Sequence, residues 1–232
     1  MKKRNESKMT MAALMMMAAM AMTSCASSKK INDGSNAGKS SEMGKNEEDL
    51  DNSYLVLSDA QQDIVKKNNA FALRLFNKVT DMESKVISPM SVSYLMGMLA
   101  NGADGITQQE ILKAIGCEGV SVNDLNELYK AMLLNANHQD KQTTVNIANY
   151  IAVNKNFKLN KNFSQQVSDG YQAGIESLDF TSSKSTDRIN GWCKEKINGM
   201  IPRIIDQVSA DAVSYLMNAI YFKGTWQNKF NA

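Results

Sequence analysis

The chain has 232 residues, of which 43% are hydrophobic and 22% are charged, an ordinary composition for one sizeable globular domain. Its formal net charge of +2 includes a basic leader, and without residues 1–24 the chain has 22 basic and 23 acidic residues. A charge so close to zero gives no electrostatic case for nucleic-acid binding, so no nucleic-acid partner is expected.

The first 24 residues are typical of a secretory signal peptide. Three basic residues at positions 2–4 precede a short apolar run over residues 9–22, built mostly of Met and Ala. This run is too short for a membrane-spanning helix, which needs roughly 20 residues. The pattern predicts export of the protein.

A small residue followed by Cys25 ends the leader and resembles a bacterial lipobox, in which the cysteine is lipidated and becomes the new amino terminus. Met22 departs from the pattern, where leucine is usual. We expect a lipid anchor on Cys25 that holds the protein at the bacterial cell envelope, on its periplasmic or outer face. Ordinary cleavage near residues 21–26, without lipid, would instead release the protein to the outside.

Residues 26–53 are mostly Ser, Asn, Gly, Lys, Asp and Glu, with little to bury. Such a composition does not offset the entropy of ordering, so residues 25–53 are interpreted as a flexible tether. A chain of this length has a typical end-to-end reach of about 30 Å. The folded domain is then expected over residues 54–232.

The folded part opens with four helical patterns. A capping box at residues 58–61 begins the first, and Ser-Pro at 88–89 begins a second that is apolar nearly all round and ends at Asn-Gly 101–102. A second capping box at residues 107–110 predicts a third helix, and apolar residues over 125–133 form one face of a fourth.

Strand patterns follow. Alternation with a period of two over residues 145–153 predicts a strand, and residues 174–177 form a shorter candidate. Helical patterns return at residues 160–171 and 189–197. Residues 212–222 are almost uninterrupted apolar residues, which predicts a strand covered on both faces. Helices followed by strands mixed with helices indicate an α+β domain.

The residues offer little for catalysis. The single histidine, His138, lies in a polar stretch and is interpreted as a solvated loop residue rather than a member of a catalytic triad. The sequence contains no glycine-rich phosphate loop, no nucleophile elbow and no cluster of residues with metal-ligand spacing. Many of the 16 methionines lie in the leader, and the others suit core filling better than copper binding. We expect no enzyme, no cofactor and no metal.

Two cysteines remain in the predicted domain, Cys117 and Cys193. In an exported protein they could form a disulfide bond. The sequence favours two buried free thiols, because Cys193 lies on the apolar face of a helix beside Trp192.

Several blocks of the chain, in order, resemble the serpin family of protease inhibitors. The resemblance runs from about residue 68 to residue 230. Its main blocks are Asn69–Phe71, Ile87–Val92, Gly102–Thr107, Asn146–Asn149, Leu178–Phe180, Ile189–Trp192, and Asn218–Gly224 followed by Trp226. The blocks keep the family's order, which makes the set far more specific than any one of them.

The resemblance implies a serpin fold and a suicide inhibitor. In inhibitory serpins a protease cleaves an exposed reactive loop and is held as an acyl-enzyme. The loop then inserts as a strand into the central sheet, which gains main-chain hydrogen bonds and releases stored strain. The implied partner is a serine endopeptidase, with cysteine endopeptidases as a second class.

The resemblance also assigns residues. Ser88, Ser91 and Asn218 match the shutter, a hydrogen-bonded group beneath the opening sheet, and Trp226 matches the breach, where the loop first enters. Three of these residues have a simpler interpretation: Asn218 as a satisfied core amide, Ser88 as a helix N-cap, and Trp226 as core filling. The N-cap and shutter roles of Ser88 are compatible.

A serpin continues well beyond residue 232, so we expect an incomplete serpin fold without the reactive loop and the later strands. The chain alone is then expected not to inhibit a protease, and to be poorly soluble because the strand over 212–222 would expose an apolar edge. Two other functions stay open: a non-inhibitory serpin-fold binding protein, and a non-functional remnant. Neither the target protease nor the scissile residue can be read.

Overall fold

The computed structural model describes residues 55–81, 84–136 and 143–226. The predicted signal peptide, the tether, Cys25 and His138 lie outside the described residues. The chain divides after residue 54 into two units, and every described residue belongs to the second unit.

Helices and strands of this part follow the α+β pattern predicted from the sequence. The elements described are α1 (Asp59–Val79), α2 (Pro89–Asn101), α3 (Gly105–Ala114), α4 (Val122–Ala136), β1 (Thr144–Asn154), α5 (Lys161–Tyr171), β2 (Gly174–Leu178), α6 (Ser183–Lys196) and β3 (Ser214–Lys223). Among these helices, none combines the length and apolarity needed to cross a membrane.

Two helices begin at the caps that the sequence predicts. Ser58 Oγ accepts from the backbone N–H of Gln61 at 3.3 Å, and Gln61 Oε1 accepts from the backbone N–H of Ser58 at 3.0 Å. This reciprocal pair is the capping box of α1. Ser88 caps α2, with Pro89 at the first helical position. Both signals are local, which is why the sequence reveals them.

The predicted start of α3 is wrong. The helix begins at Gly105 rather than at the capping box of residues 107–110, because Asp104 acts as the N-cap. Asp104 Oδ1 accepts from the backbone N–H of Gly105 at 2.7 Å. An aspartate is at least as good an N-cap as a threonine, so the earlier signal starts the helix.

The three described strands form one sheet in the order β2-β1-β3. β1 pairs in parallel with β2, with Ile151 opposite Ile175. It pairs antiparallel with β3 along its whole length, with Asn149 opposite Asn218. β1 is therefore the central strand of the described sheet.

Successive side chains of a strand point to opposite faces, and each face of this sheet has its own core. On one face Ile147 and Ile151 of β1 and Leu216 of β3 pack into a large cluster with helices α1 to α5. On the other face Tyr150 of β1 and Met217 of β3 pack with α6. Helices thus cover both faces of the sheet.

β3 is less buried than its sequence predicts. Helices α2 and α6 contact it from the two faces, as the apolar run implies. Within β3, however, only Ala219 is fully buried, and most of the other residues are half-buried. The reason is its place at one end of the described strand order, where just one of its two edges is paired.

Both cysteines of the domain are free and buried, which confirms the predicted pair of free thiols. Cys117 lies in the large core and Cys193 in the core beneath α6. Burial raises the pKa of the Cys117 thiol to about 11. The thiol therefore stays protonated near neutral pH and is a poor nucleophile.

Candidate functional site

A line of amide hydrogen bonds crosses the centre of the sheet. Asn218 Nδ2 on β3 donates to Asn149 Oδ1 on β1 at 2.8 Å. Asn149 Nδ2 in turn donates to the carbonyl oxygen of Tyr171, at the end of α5, at 2.8 Å. Because the two asparagines lie opposite each other in the β1–β3 register, their side chains share a face of the sheet.

That face is the one covered by α2. Asn149 and Asn218 alternate with the residues that pack against α6, so they point to the same side as Ile151 and Leu216. Asn149 is 3% exposed, and both polar ends of its side chain are hydrogen bonded. The strands thus carry a polar line inside an otherwise apolar interface.

Only one of the two polar atoms of the Asn218 side chain has a hydrogen-bond partner among the described residues. Its amide nitrogen donates to Asn149, but Asn218 Oδ1 is shielded from solvent and accepts no hydrogen bond from any described residue. Buried amide oxygens in folded proteins nearly always have a donor. The predicted interpretation of Asn218 as a fully satisfied core amide is therefore not met within the described structure.

Ser88 and Ser91 form a local pair at the start of α2. Ser91 Oγ donates to Ser88 Oγ at 2.9 Å, and the Ser91 backbone N–H donates to the same oxygen at 3.2 Å. The structure brings these two residues together, and α2 contacts β3. No hydrogen bond between described residues joins this pair to Asn218, whose partner is Asn149 instead.

Trp226 lies beyond the end of β3, which it follows by three residues, and 52% of its surface is exposed. The alternative interpretation of Trp226 as core filling is therefore wrong for the described structure.

Asn149 is the site residue that the sequence reasoning missed. It lies in phase with the apolar residues of the β1 alternation, between Ile147 and Ile151. A polar residue at an apolar position is the signal that could have identified it. Its pairing with Asn218 depends on the strand register, which no local pattern reveals.

Three buried tyrosines support the far end of the amide line. The rings of Tyr94, Tyr129 and Tyr171 lie against one another, with centroids 4.8 to 6.2 Å apart. Tyr171 Oη donates to Asn126 Oδ1 at 2.8 Å, which fixes the residue whose carbonyl Asn149 contacts. Burial is the main cause that raises the pKa of each phenol, so all three stay neutral.

The amide line and the tyrosines are neutral hydrogen-bonding groups, suited to holding strands and helices in place rather than to proton transfer or nucleophilic attack. Among the residues that the structure describes, no group of three His, Cys, Asp or Glu side chains is arranged to hold a metal ion. The arrangement therefore resembles a structural joint between β1, β3 and α5.

Comparison with known sequences gives a consistent family. The serpin (serine protease inhibitor) family model matches residues 66–232. Serine protease inhibitor 42Dd of Drosophila melanogaster is 31% identical over 161 residues, which cover 68% of this chain and 43% of that protein. Iripin-2 of Ixodes ricinus is 32% identical over 187 residues, or 77% of this chain and 47% of that protein. The chain spans less than half the length of these relatives.

Comparison with solved structures leads to the same family as the comparison of sequences. The latent state of tengpin, a thermophilic serpin, superimposes with a TM-score of 0.69 at 32% identity, over 76% of this chain and 47% of that chain. A loop C-sheet serpin polymer gives a TM-score of 0.68 at 30% identity, over 86% of this chain and 49% of that chain. The predicted serpin fold is confirmed, and the chain belongs to the serpin family.

Proposed function

We propose that this protein is a serpin-type inhibitor of serine endopeptidases, with cysteine endopeptidases as a second target class. Relatives across the family are named as serine protease inhibitors rather than enzymes. The observation that carries the proposal is the family match over residues 66–232. The described sheet supports it, because β3 carries at its centre Asn218, whose buried Oδ1 accepts from no described residue.

The proposed mechanism is cleavage of a reactive loop and its insertion as a strand into this sheet. Within the described residues, β3 is hydrogen bonded to β1 on one side only. A strand added at the outer edge would pair with the free backbone groups of β3 and bury its half-exposed side chains. Both effects favour the inserted state.

Asn218, Ser88 and Ser91 are proposed as the shutter, with Trp226 as the breach residue. Two observations support the shutter: α2, which begins at the Ser88–Ser91 pair, contacts β3, and Asn218 Oδ1 faces the same side of the sheet with acceptor capacity to spare. For Trp226, the support is its exposed position just beyond the end of β3.

The test is whether the protein forms a covalent complex with a protease. The full-length gene product, incubated with trypsin-like, chymotrypsin-like, elastase-like and papain-like proteases, is expected to form a complex that survives boiling in SDS with at least one of them. The control is each protease with its nucleophile chemically blocked, which should give no complex. If every active protease yields only cleaved product, inhibition by loop insertion is wrong.

That negative outcome would favour a second function, a non-inhibitory binding protein. One structural likeness supports this alternative: human thyroxine-binding globulin in complex with thyroxine superimposes with a TM-score of 0.66 at 25% identity. The serpin fold thus also occurs in a protein that is named for ligand binding. Small residues in the hinge of the reactive loop favour insertion, whereas charged or proline residues there oppose it.

We further propose a bacterial lipoprotein, exported by residues 1–24, anchored through Cys25 and held off the membrane by a tether over residues 25–53. The basic start, the short apolar run and the small residue before Cys25 support this proposal. An anchored inhibitor would act on proteases close to the cell envelope.

Lipid attachment is expected to place the mature protein in the membrane fraction of cells that process lipoproteins, with Cys25 acylated at the new amino terminus. Cys25→Ser should move the protein to the soluble fraction, because a bare tether has no affinity for a bilayer. Cys193→Ser serves as the matched control and should leave it in the membrane fraction. Mass spectrometry that finds an unmodified Cys25 in the mature protein contradicts the anchor.

A further inference from the structure

A second polar cluster lies on the opposite face of the sheet, between the strands and α6. It consists of Tyr150 from β1, Glu176 from β2, and Arg188 and Trp192 from α6. We refer to these four residues as the α6 latch. They join three elements, β1, β2 and α6, and they take no part in the amide line.

The Glu176 carboxylate is the centre of the latch. Arg188 donates from Nε to Glu176 Oε1 at 3.1 Å, and its terminal nitrogen lies 2.8 Å from Glu176 Oε2. Tyr150 Oη also donates to Glu176 Oε2, at 2.7 Å. An ionised carboxylate accepts both hydrogen bonds and forms the ion pair, whereas a protonated one has lost both its charge and part of its acceptor capacity.

The aromatic part of the latch depends on the same geometry. The Tyr150 ring stacks on the Trp192 ring, with centroids 5.0 Å apart and planes 19° from parallel. The Arg188 guanidinium carbon lies 5.8 Å from the centroid of the Tyr150 ring. Arg188 and Trp192 are four residues apart and therefore share a face of α6. Tyr150 is thus held by Arg188 and Trp192 on its ring and by Glu176 on its hydroxyl.

The polar contacts of α6 with the sheet are unevenly distributed. Besides the latch, Asn146 Nδ2 of β1 donates to the carbonyl oxygen of Lys196, the last residue of α6, at 2.8 Å. Towards β3, α6 contributes apolar packing, and no hydrogen bond joins it to β3 within the described residues. Among the described polar contacts between α6 and the sheet, the latch therefore serves the middle of the helix and Asn146 its end, beside the apolar packing of Ile189 and Cys193.

We propose that Glu176 is a positioning residue for α6. Its carboxylate holds Arg188 and Tyr150 in one arrangement, and loss of its negative charge, by protonation or substitution, releases the middle of α6 from β1 and β2. Because α6 covers one face of β1 and β3, its release changes access to the face of the sheet next to the β3 edge. The inference rests on the described contacts and does not depend on protease inhibition.

The charged surroundings of Glu176 set the direction of its pH response. Tyr150 from β1 and Arg188 from α6 face it directly, Glu195 of α6 acts on Arg188, and no charged side chain of the adjacent α5 contacts Glu176 within the described residues. Burial alone would raise the pKa of Glu176, but the hydrogen bonds from Tyr150 and Arg188 outweigh it, so the pKa is lowered.

The sign of the effect follows from linkage. A carboxyl group whose pKa is lower in the folded state stabilises that state fully above its unfolded pKa. The stabilisation is lost as the pH falls through the lowered value. The latch is therefore closed at neutral pH and opens in acid, below the usual pKa of a glutamate.

The test is hydrogen–deuterium exchange of the whole protein, comparing the wild type with Glu176→Gln, which keeps the shape but removes the charge. At neutral pH the amides of α6 are expected to exchange about threefold faster in the variant, because an ion pair whose side chains are 45% and 36% exposed contributes less than a buried one. As the pH falls below the pKa of Glu176, the ratio of variant to wild-type rates should approach one, because the wild type then carries a neutral side chain as well.

The matched control is Asp179→Asn. Asp179 follows β2, and its carboxylate forms an ion pair with Lys155 at 2.7 Å. Its carbonyl oxygen accepts from Ser185 Oγ of α6 at 2.6 Å, a backbone contact that Asp179→Asn keeps. This variant loses one negative charge from the same region and should leave the exchange of α6 as in the wild type. The proposal is wrong if Glu176→Gln leaves the exchange of α6 unchanged, if Asp179→Asn speeds it equally, or if the ratio is independent of pH. It is also wrong if the amides of α2, on the other face, speed up as much.

Discussion

Replacing Gly97 with alanine is expected to lower the free energy of unfolding by about 2 kcal/mol, the usual cost of forcing an extra carbon into a filled core. Gly97 lies in the middle of α2. There alanine would normally gain about 1 kcal/mol over glycine from its higher helix propensity. Helix propensity alone therefore predicts a gain in stability for this substitution, whereas we expect a loss.

The reason is the close approach of two tyrosines. A Cβ atom at residue 97 would lie 2.4 Å from Tyr171 Oη and 3.0 Å from Cε2 of Tyr129. An oxygen at the end of a side chain can often move away, but Tyr171 is fully buried and bonded to Asn126. The Tyr94 and Tyr129 rings close off the remaining space.

The measurement is urea denaturation of both forms, read as the midpoint and slope of unfolding. Gly191→Ala is the matched control. Gly191 also lies within a helix, α6, and an added Cβ there meets nothing within 4 Å. That variant should gain about 1 kcal/mol from helix propensity. If Gly97→Ala is as stable as the wild type, the two tyrosines do not approach residue 97 as closely as described.

Local signals in the sequence predicted much of the helical part. The serine at 88 and the proline after it mark the start of α2 because both act within one turn of helix. Where two N-cap signals compete, as at Asp104 and Thr107, the sequence pattern gives no ranking by itself. Fold class and family were also predictable, because they depend on the order of many such segments.

The candidate site was predicted only in part, because its contacts join residues distant along the chain. Asn218 was identified as a polar residue in an apolar strand, but its partner Asn149 is 69 residues away. Glu176 and Arg188 each look like ordinary surface charges in the sequence. Their pairing requires both the placement of β2 beside β1 and the seating of α6 on that face.

Two consecutive residues of β1 connect the two faces of the sheet. Asn149 points to the α2 side and holds Asn218 and the end of α5, whereas Tyr150 points to the α6 side and holds Glu176. Because adjacent side chains of a strand alternate, a shift in the register of β1 would disturb both groups together. The centre of β1 therefore links the proposed shutter to the α6 latch.

Replacing Asn149 with alanine is expected to destabilise the protein by about 2–4 kcal/mol, because a buried partner loses a hydrogen bond at about 1–3 kcal/mol and a half-buried partner loses one at about 1 kcal/mol. The partners are the carbonyl oxygen of Tyr171 and Nδ2 of Asn218. Asn218→Ala removes a single hydrogen bond from a half-buried residue and should cost less, about 1 kcal/mol. Urea denaturation of both variants provides the comparison.

A double-mutant cycle separates the amide line from general loss of packing. If Asn149 and Asn218 act as a pair, the double variant should be less destabilised than the sum of the two single variants, by about 0.5–1.5 kcal/mol. Asn146→Ala combined with Asn218→Ala is the matched control, because Asn146 bonds to Lys196 on the other face and shares no partner with Asn218. Those two changes should add to within about 0.5 kcal/mol. If the effects of Asn149→Ala and Asn218→Ala on stability are also additive, the 2.8 Å hydrogen bond between these two side chains does not contribute to the stability of the protein.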